Sequence, residues 1–494
     1  MAPQEYENFR KVGRFRLSDG RELQGELRLC GAATTLELYS DSPDPPLDEQ
    51  TSTDIYGQFH DGSEVSLLHC LVVSGSIKGG VDTHYRCTGV FPHFVIFGSS
   101  TVSSLEQTVS KMSFTIEDSP TIFYEYDTFG SVSDVQPYID DILEAETERR
   151  GRKIHAGKHP HLFYYTGKHE IFEVITDLGK ISATNHISYV SPNTTGIQVR
   201  NIIKLNIAFN VGRTVLEAVN SILDLLRFFE IVAGRPQNIS DVSFFPVDAE
   251  DCFQSFDVYW CDQPRHTHND DLYQPSPDDL PLQATADTEE FSNVLKTWIT
   301  RNSKWRNARS RFSTAFSRKS SYTIDRTVGA ANMFDILPAS VYQKRIKLPP
   351  DVLEAKEKAR RLFKELPHSL ERDSVLNALG RVGRPTLKHK VRHRARLITD
   401  VVGDRFPDLN LVIDQAIDCR NYFVHGSKAK IDYSTHSSQV IFFTDTLEFI
   451  FAASDLLESG WDMARWITSH SNSHPFSRYC FSYQHRLSEL KALI

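Results

Sequence analysis

From about Phe9 to about Asn210 apolar and polar positions alternate with a period of two, in short runs separated by turn chemistry. The first, GRFRLSDGRELQGELRL, sets Ser18-Asp19-Gly20 between two alternating runs, and IYGQFHDGSEVSLLHCLVVSG repeats the arrangement around Asp61-Gly62. Such a turn flanked by alternation predicts a β-hairpin, because glycine supplies the positive φ a tight turn needs. Gly79-Gly80 ahead of VFPHFVIFG, then MSFTIEDSPTIFYEY, HLFYYTGKHEIFEVITDLGKISATNHISYV and IQVRNIIKLNIAFN, continue the series. Regularly spaced strands of this kind predict an antiparallel sandwich or jelly roll over residues 1–210. The aromatic runs VFPHFVIFG and TIFYEY read as its core. SDSPDPPLDEQTSTD reads as a mobile surface loop without core-forming residues.

At Arg213 the period changes to about 3.6 residues. TVLEAVNSILDLLRFFEIVAG carries Val215, Ala218, Ile222, Leu225 and Phe229 on one face and ends at Gly234, a helix with a glycine stop. DVSFFPVDAEDCFQSFDVYWC returns to strand character, and the proline-punctuated PRHTHNDDLYQPSPDDLPLQATADTEE leads on to the rest. Residues 211–285 therefore read as a connecting region, with the main boundary near 285. Beyond it come FSNVLKTWITRNSKWRNARSRFSTAF, SSYTIDRTVGAANMFDIL, PPDVLEAKEKARRLFKEL, SLERDSVLNALGRV, the segments 385–402 and 407–425, and QVIFFTDTLEFIFAASDLLESGW. Helices of this length joined by short loops describe an up-and-down bundle over 286–470, with a tail over 471–494. The fold class expected is α+β: an N-terminal antiparallel β-sandwich-like domain, then a C-terminal all-α bundle.

Charge divides the chain in the same place. Residues 1–290 hold 22 Lys+Arg against 44 Asp+Glu, and residues 291–494 hold 33 against 20, leaving net charges of −22 and +13. Such asymmetry suggests that the basic half can approach a polyanion while the acidic half as a whole cannot. No apolar run reaches the roughly 18 residues that span a bilayer, and MAPQEYENFRKVGRF has no signal-peptide core. A soluble cytoplasmic protein without membrane contact is the expectation. The seven cysteines, Cys30, Cys70, Cys87, Cys252, Cys261, Cys419 and Cys480, are scattered and never in a C-x-x-C pair, so they read as reduced thiols. His155, His159, His161 and His169 lack ligand spacing, and no metal or cofactor is expected.

The segment LNLVIDQAIDCRNYFVHG carries the candidate chemistry. Val412, Ala416, Cys419 and Phe423 form an apolar stripe, and Gly426 is the stop signal. Arg420 and Asn421 then point off the core face, and His425 sits in the last turn, where the helix dipole favours an imidazolium. Arg-x4-His spacing also occurs at Arg150 to His155, at Arg384 to His389 and at Arg465 to His470, but Gly151, Pro385 and Trp466 rather than Asn follow those arginines, and the first two break the helix. Requiring Asn beside the Arg lowers the chance expectation from about 1 to about 0.04.

R-N-x-x-x-H at the end of a late bundle helix resembles the HEPN (higher eukaryotes and prokaryotes nucleotide-binding) superfamily, many of whose members are metal-independent ribonucleases. A β-rich N-terminal region ahead of such a bundle is similar to the ApeA-type abortive-infection proteins of bacterial antiphage defence. The resemblance implies an endoribonuclease toxin whose catalytic residues are Arg420, Asn421 and His425. It also implies a homodimer or higher oligomer through the bundle, with two copies of the motif forming one cleft. RNA, with tRNA a candidate, would be the substrate, and a phage-derived factor the trigger. The acidic residue often found in an early helix of catalytic members has Asp325 and Asp335 as candidates.

Residue types support those roles independently. Cleavage by a neighbouring 2′-hydroxyl needs proton transfer, which suits His425, and charge stabilisation, which suits the always-charged fork of Arg420. Asn421 would orient the phosphate or His425. The two ends of the motif lie about 140° apart around a helix, so they share no ridge. Arg381, Arg384, Lys388, Lys390, Arg392, Arg394 and Arg396 form a run without an acid. With Arg301, Lys304, Arg306, Arg309, Arg311, Arg318 and Lys319 upstream, they are candidates for tracking phosphates, and Tyr422 for stacking a base. The bland readings are a capping His425 beside a surface arginine, and a solvated basic helix face. Two rival functions stand beside the nuclease: a non-catalytic HEPN that binds nucleotide or RNA or only dimerises, and a ligand-binding sandwich with an exposed aromatic patch that the bundle merely dimerises. The charge split adds the expectation that the acidic half restrains the basic one, testable with fragment 285–494.

Overall fold

The structure is a computed structural model that describes residues 9–494 except 43, 49, 80–83, 195, 248–254, 267–272, 319–321, 343–346 and 469–472. Gly80, Cys252 and Lys319 lie outside the described residues. The chain forms two compact units. One comprises Met1–Val219, Asn238–Arg265 and Gln283–Thr288; the other Asn220–Gln237, His266–Leu282 and Glu289–Ile494.

The first unit is built on an antiparallel sheet. Both predicted hairpins form. β1 (Arg10–Arg16) turns into β2 (Glu22–Arg28) through Gly20 at φ 86°, with Asp19 Oδ1 accepting from the Arg21 amide at 2.9 Å. After β3 (Thr35–Ser40), β4 (Thr53–Phe59) turns into β5 (Glu64–Gly79) through Gly62 at φ 85°. β3 pairs with β6 (His84–Phe91), and β6 returns to the second half of β5. With β4 on β1, the order β5-β4-β1-β2-β3-β6-β5 closes on itself. The sandwich-like expectation thus takes the form of a six-stranded barrel with an open sheet attached, and closure leaves no unpaired edge to manage within the barrel.

Phe15, Leu27, Leu36, Leu38, Ile55, Val65, Leu67 and Val90 fill the barrel. The Phe15 ring fits because its neighbours are glycines: a Cβ on Gly57 would stand 2.6 Å from it and one on Gly25 2.9 Å. Leu47 corrects the loop expectation, since it is buried in this core while Pro46 O accepts from Arg21 at 2.8 Å. β7 (Phe94–Gly98) takes up the first half of β5, and β8 (Val109–Ile116) lies further out in the sheet. α1 (Ser119–Ile122), β9 (Phe129–Val132), α2 (Gln136–Arg150) and β10 (Leu162–Tyr165) follow, β9 and β10 forming a separate two-stranded sheet. β11 (Glu170–Ile175), β12 (Gly179–Asn193) and β13 (Gly196–Arg213) complete the outer sheet with β14 (Ile239–Pro246) and β15 (Phe256–Trp260), which come after α3 (Val215–Ala233). The core expectation for VFPHFVIFG holds at Phe94, Val95 and Ile96, but TIFYEY divides: Ile122 and Phe123 are buried, whereas Tyr124 and Tyr126 are exposed.

The second unit is the expected helical bundle. It holds α4 (Thr288–Phe316), α5 (Ile324–Asp335), α6 (Pro350–Glu365), α7 (Leu370–Arg381), α8 (Leu387–Val402), α9 (Leu409–His425), α10 (Ser437–Glu458), α11 (Met463–Trp466) and α12 (Pro475–Leu493). Local chemistry sets the boundaries: Thr323 and Ser369 cap α5 and α7 by accepting from Arg326 and Arg372 amides, and Pro350 opens α6. The expected C-terminal tail is instead α12, whose Tyr479, Tyr483, Leu487 and Leu490 are buried. The final turns of α3 also belong to this unit, with Phe228 packed edge-on against Phe291 and Trp298. Fragment 285–494 would therefore discard part of its own unit, and its activity would not isolate an effect of the acidic half.

α10 is buried along most of its length, including Glu448 and Asp455. Arg309 of α4 donates to both Asp455 oxygens, at 2.8 and 3.0 Å, and Arg301 donates to Oδ1 at 2.9 Å. Arg394 of α8 pairs with Glu458 at 2.7 Å and donates to Ser454 Oγ at 2.9 Å. Arg309 lies 3.6 Å over the Trp298 ring, and Arg301 and Arg394 lie 4.4 and 4.9 Å over Trp305. Burial alone would raise the Asp455 carboxyl, but Arg309 and its neighbouring guanidiniums hold it below the usual range. Replacing Asp455 with Ala strands these cations, and urea denaturation should read a loss of about 3–5 kcal/mol.

A second buried carboxyl behaves oppositely. Glu230 of α3 accepts from Ser313 Oγ at 2.6 Å, and burial pushes it from 4.5 up to about 7. Between those values the folded chain keeps a proton that the unfolded chain releases, so the contribution is complete below 4.5 and declines as pH rises through 7. Denaturation at about pH 5 and about pH 8 should show stability falling with pH, and Glu230→Gln should remove roughly 3 kcal/mol of that fall.

Candidate active site

α9 runs to His425 and ends on Gly426 in the left-handed region at φ 64°, with the Gly426 amide donating to Tyr422 O at 3.0 Å. The stripe that orients it is buried at Val412, Ala416 and Cys419, and burial pushes the Cys419 thiol up to about 12, which leaves it unreactive. Phe423 is only half-buried and shares a ring cluster with Tyr422 and Tyr433. Tyr422 is exposed.

The three motif side chains converge. Arg420 Nη1 donates to Asn421 Oδ1 and to His425 Nε2, both at 3.1 Å. The angular separation around the helix does not keep the motif ends apart, because the long arginine reaches past it. A guanidinium has only N–H groups, so this contact is a hydrogen bond when Nε2 is the acceptor, the tautomer with its proton on Nδ1. Arg420 Nη2 donates to Asn332 Oδ1 of α5 at 3.0 Å and lies 3.9 Å from Asp335 Oδ2. Asp335 thus stands at the site, its backbone carbonyl accepting from Lys390 at 2.9 Å. Asp325 instead pairs with Arg318 at 3.2 Å and is largely exposed.

Asn332 is the residue the sequence reading missed. It lies 88 residues from Arg420, so no local spacing could point to it. The only signal is an amide inside the apolar run GAANMF, between buried Ala331 and Met333.

The basic run is redistributed by the structure. Arg394 is 1% exposed and belongs to the buried network on α10, which removes it as an RNA contact; Arg309 upstream is buried in the same way. Lys388 pairs with Asp418 at 2.6 Å, Arg392 with Asp414, and Lys390 with Asp335. Arg301 is held by Asp455 and Glu458, and Arg306 by Asp224. Arg381, Arg384 and Arg396 are exposed and have no acidic partner among the described residues, as do Lys304 and Arg311. The site is therefore less cationic than the sequence run suggests.

Elsewhere in the bundle a cavity of about 180 Å³ is lined by Phe312, Tyr322, Arg326, Phe449, His474 and Arg486, among others. Of its charged walls, Arg326 pairs with Glu448 and Arg486 with Asp445, while Arg478 lies 5.1 Å over the Tyr273 ring, so they specify no ligand. Among the described residues no group of three or more His, Cys, Asp or Glu could hold a metal ion, and no helix is long and apolar enough to cross a membrane. The free cysteines Cys70, Cys261 and Cys419 are buried and Cys30 is exposed.

Comparison with known proteins adds two matches. The family described as ApeA N-terminal domain 1 matches residues 10–298, and that described as Apea-like HEPN matches residues 328–465, a span that includes Asn332, Asp335 and the whole of the Arg420 cluster. No curated protein and no solved structure gives a match. Since the first match alone covers more than half of the chain and the second the bundle that carries the motif, the chain belongs to the ApeA-type HEPN family.

Proposed function

We propose that this protein is a metal-independent endoribonuclease of antiphage abortive-infection defence, acting on RNA, with tRNA the candidate class, as a homodimer and in response to a phage-derived trigger. The observation that carries the reading is the convergence of Asn421, His425 and Asn332 on one guanidinium at the end of α9.

In this reading a scissile phosphate competes for Arg420, whose fork binds two oxygens better than a single imidazole nitrogen. That frees Nε2 of His425 to take the proton of the 2′-hydroxyl. The 2′-oxygen attacks phosphorus, the bond from phosphorus to the 5′-oxygen breaks, and a 2′,3′-cyclic phosphate and a 5′-hydroxyl result. Arg420 stabilises the charge that builds on the non-bridging oxygens. The leaving 5′-oxygen needs a proton, and guanidinium cannot give one at neutral pH. Arg420 contacts a single imidazole. A second copy, brought by dimerisation, supplies the acid. Asn332 and Asp335 position Arg420 and touch no reacting atom.

The test is cleavage of total RNA and tRNA by the purified full chain in the presence of a chelator, with the product ends mapped. Arg420→Ala and His425→Ala should each lower the rate by about 10² or more, and the ends should be 2′,3′-cyclic phosphates. A requirement for divalent metal, or cleavage indifferent to both substitutions, sinks the reading; binding without triplet-dependent cleavage selects the non-catalytic HEPN. Asn332→Ala should lower the rate by about tenfold with unchanged RNA affinity, as expected for a positioning residue.

A further inference from the structure

The acidic first unit contains one stretch of opposite character. From Arg149 to His169 there are six cations and four histidines and no acidic residue. Arg149 and Arg150 pair with Glu146 at the end of α2, and Lys168 pairs with Glu125. Arg152, Lys153 and Lys158 are exposed and have no partner among the described residues. Along the chain the stretch is bounded directly by Glu148 on α2 and Glu170 at the start of β11.

This basic loop leads into β10, whose aromatics are turned outward. Phe163 is 77% exposed, and Tyr164, Tyr165 and Phe129 of β9 are exposed too. Phe163 and Tyr165 lie two residues apart in β10 and so share a face. Tyr165 stacks on Phe129 with centroids 5.0 Å apart, and His161 lies nearly parallel to Phe163 at 6.4 Å. That separation is close to twice the ~3.4 Å rise of stacked bases. Tyr124 and Tyr126, just ahead of β9, add two more exposed rings 4.6 Å apart. A small sheet gains nothing by exposing so many large rings to water unless something covers them.

We infer that the two-stranded β9–β10 sheet and the loop that leads into β10 form a binding platform for single-stranded nucleic acid, the rings stacking on bases while Arg152, Lys153 and Lys158 contact phosphates. Rings accept any base and free lysines and arginine accept any phosphate, so the platform is tolerant of sequence. The inference goes beyond the cleavage reading and stands apart from it, since its test uses a chain with no cleavage.

In a full-length His425→Ala background, affinity for fluorescein-labelled single-stranded RNA and DNA oligonucleotides is measured across a salt series. Phe163→Ala should weaken binding by roughly fivefold to a hundredfold, and Phe163→Trp should restore it. Arg152→Gln, Lys153→Gln and Lys158→Gln together should make the slope of log affinity against log salt shallower by about 2. A local readout separates this surface from the bundle: the indole emission added by F163W should be quenched by oligonucleotide. Equal effects with RNA and DNA mean stacking alone; a preference for RNA means that the 2′-hydroxyl is also read, and either outcome supports the platform. Emission unchanged by oligonucleotide, together with affinities unmoved by Phe163→Ala and by the triple change, overturns it and leaves the rings to a protein partner. Cleavage assays then report separately on the active site.

Discussion

The bundle depends on a buried carboxylate, Asp455, held among Arg309, Arg301 and the neighbouring Arg394. An isolated buried charge costs several kcal/mol, and only close partners with further hydrogen bonds offset it. Here the offset comes from α4 and α8 at once, and the faces of Trp298 and Trp305 receive guanidiniums as well. One turn pair earlier on α10, Glu448 takes both forks of Arg326 from α5. These pairs are directional, so they fix how far each helix can slide along α10, which apolar contacts alone would leave loose. α5 carries Asn332, and its lock on Glu448 sets where Asn332 meets Arg420.

Much of the fold could be read from the chain because its local signals agree with one another. Alternation, Asp-Gly turns, capping Ser and Thr, and prolines at helix starts all specify elements within a few residues of themselves. Barrel closure could not be read in this way. It depends on β6 returning to the second half of β5 beyond His69, whose φ is 54°, and no periodicity encodes which strand a sixth strand will meet. Leu47 escaped notice for a related reason: one leucine in a Pro/Asp/Ser loop has no pattern, and only the barrel gives it a place.

The site was legible where it is contiguous. Arg420, Asn421 and His425 lie on one helix end, so motif and geometry coincide. Asn332 comes from another helix. Arg394 shows the opposite failure: within a basic run it reads as a phosphate contact, yet its position on α8 faces the core. A charge run records composition, whereas burial depends on helix phase, and at period 3.6 one residue in a run of this length can turn fully inward. The net +13 of residues 291–494 is therefore partly spent inside the molecule.

The division into units has a consequence for synthesis. The last turns of α3 belong with helices made much later, and strands β14 and β15 of the other unit are translated between them. Phe228 must wait for Phe291 and Trp298, and Gly234 for His474, which would stand 2.7 Å from a Cβ placed there. At about 5–20 residues per second, the second delay is on the order of ten seconds or more. Until α12 has left the ribosome, the bundle cannot be complete. A nascent or prematurely terminated chain thus lacks the finished bundle in which α5 presents Asn332 to Arg420, so the candidate site is assembled only once most of the chain has been made.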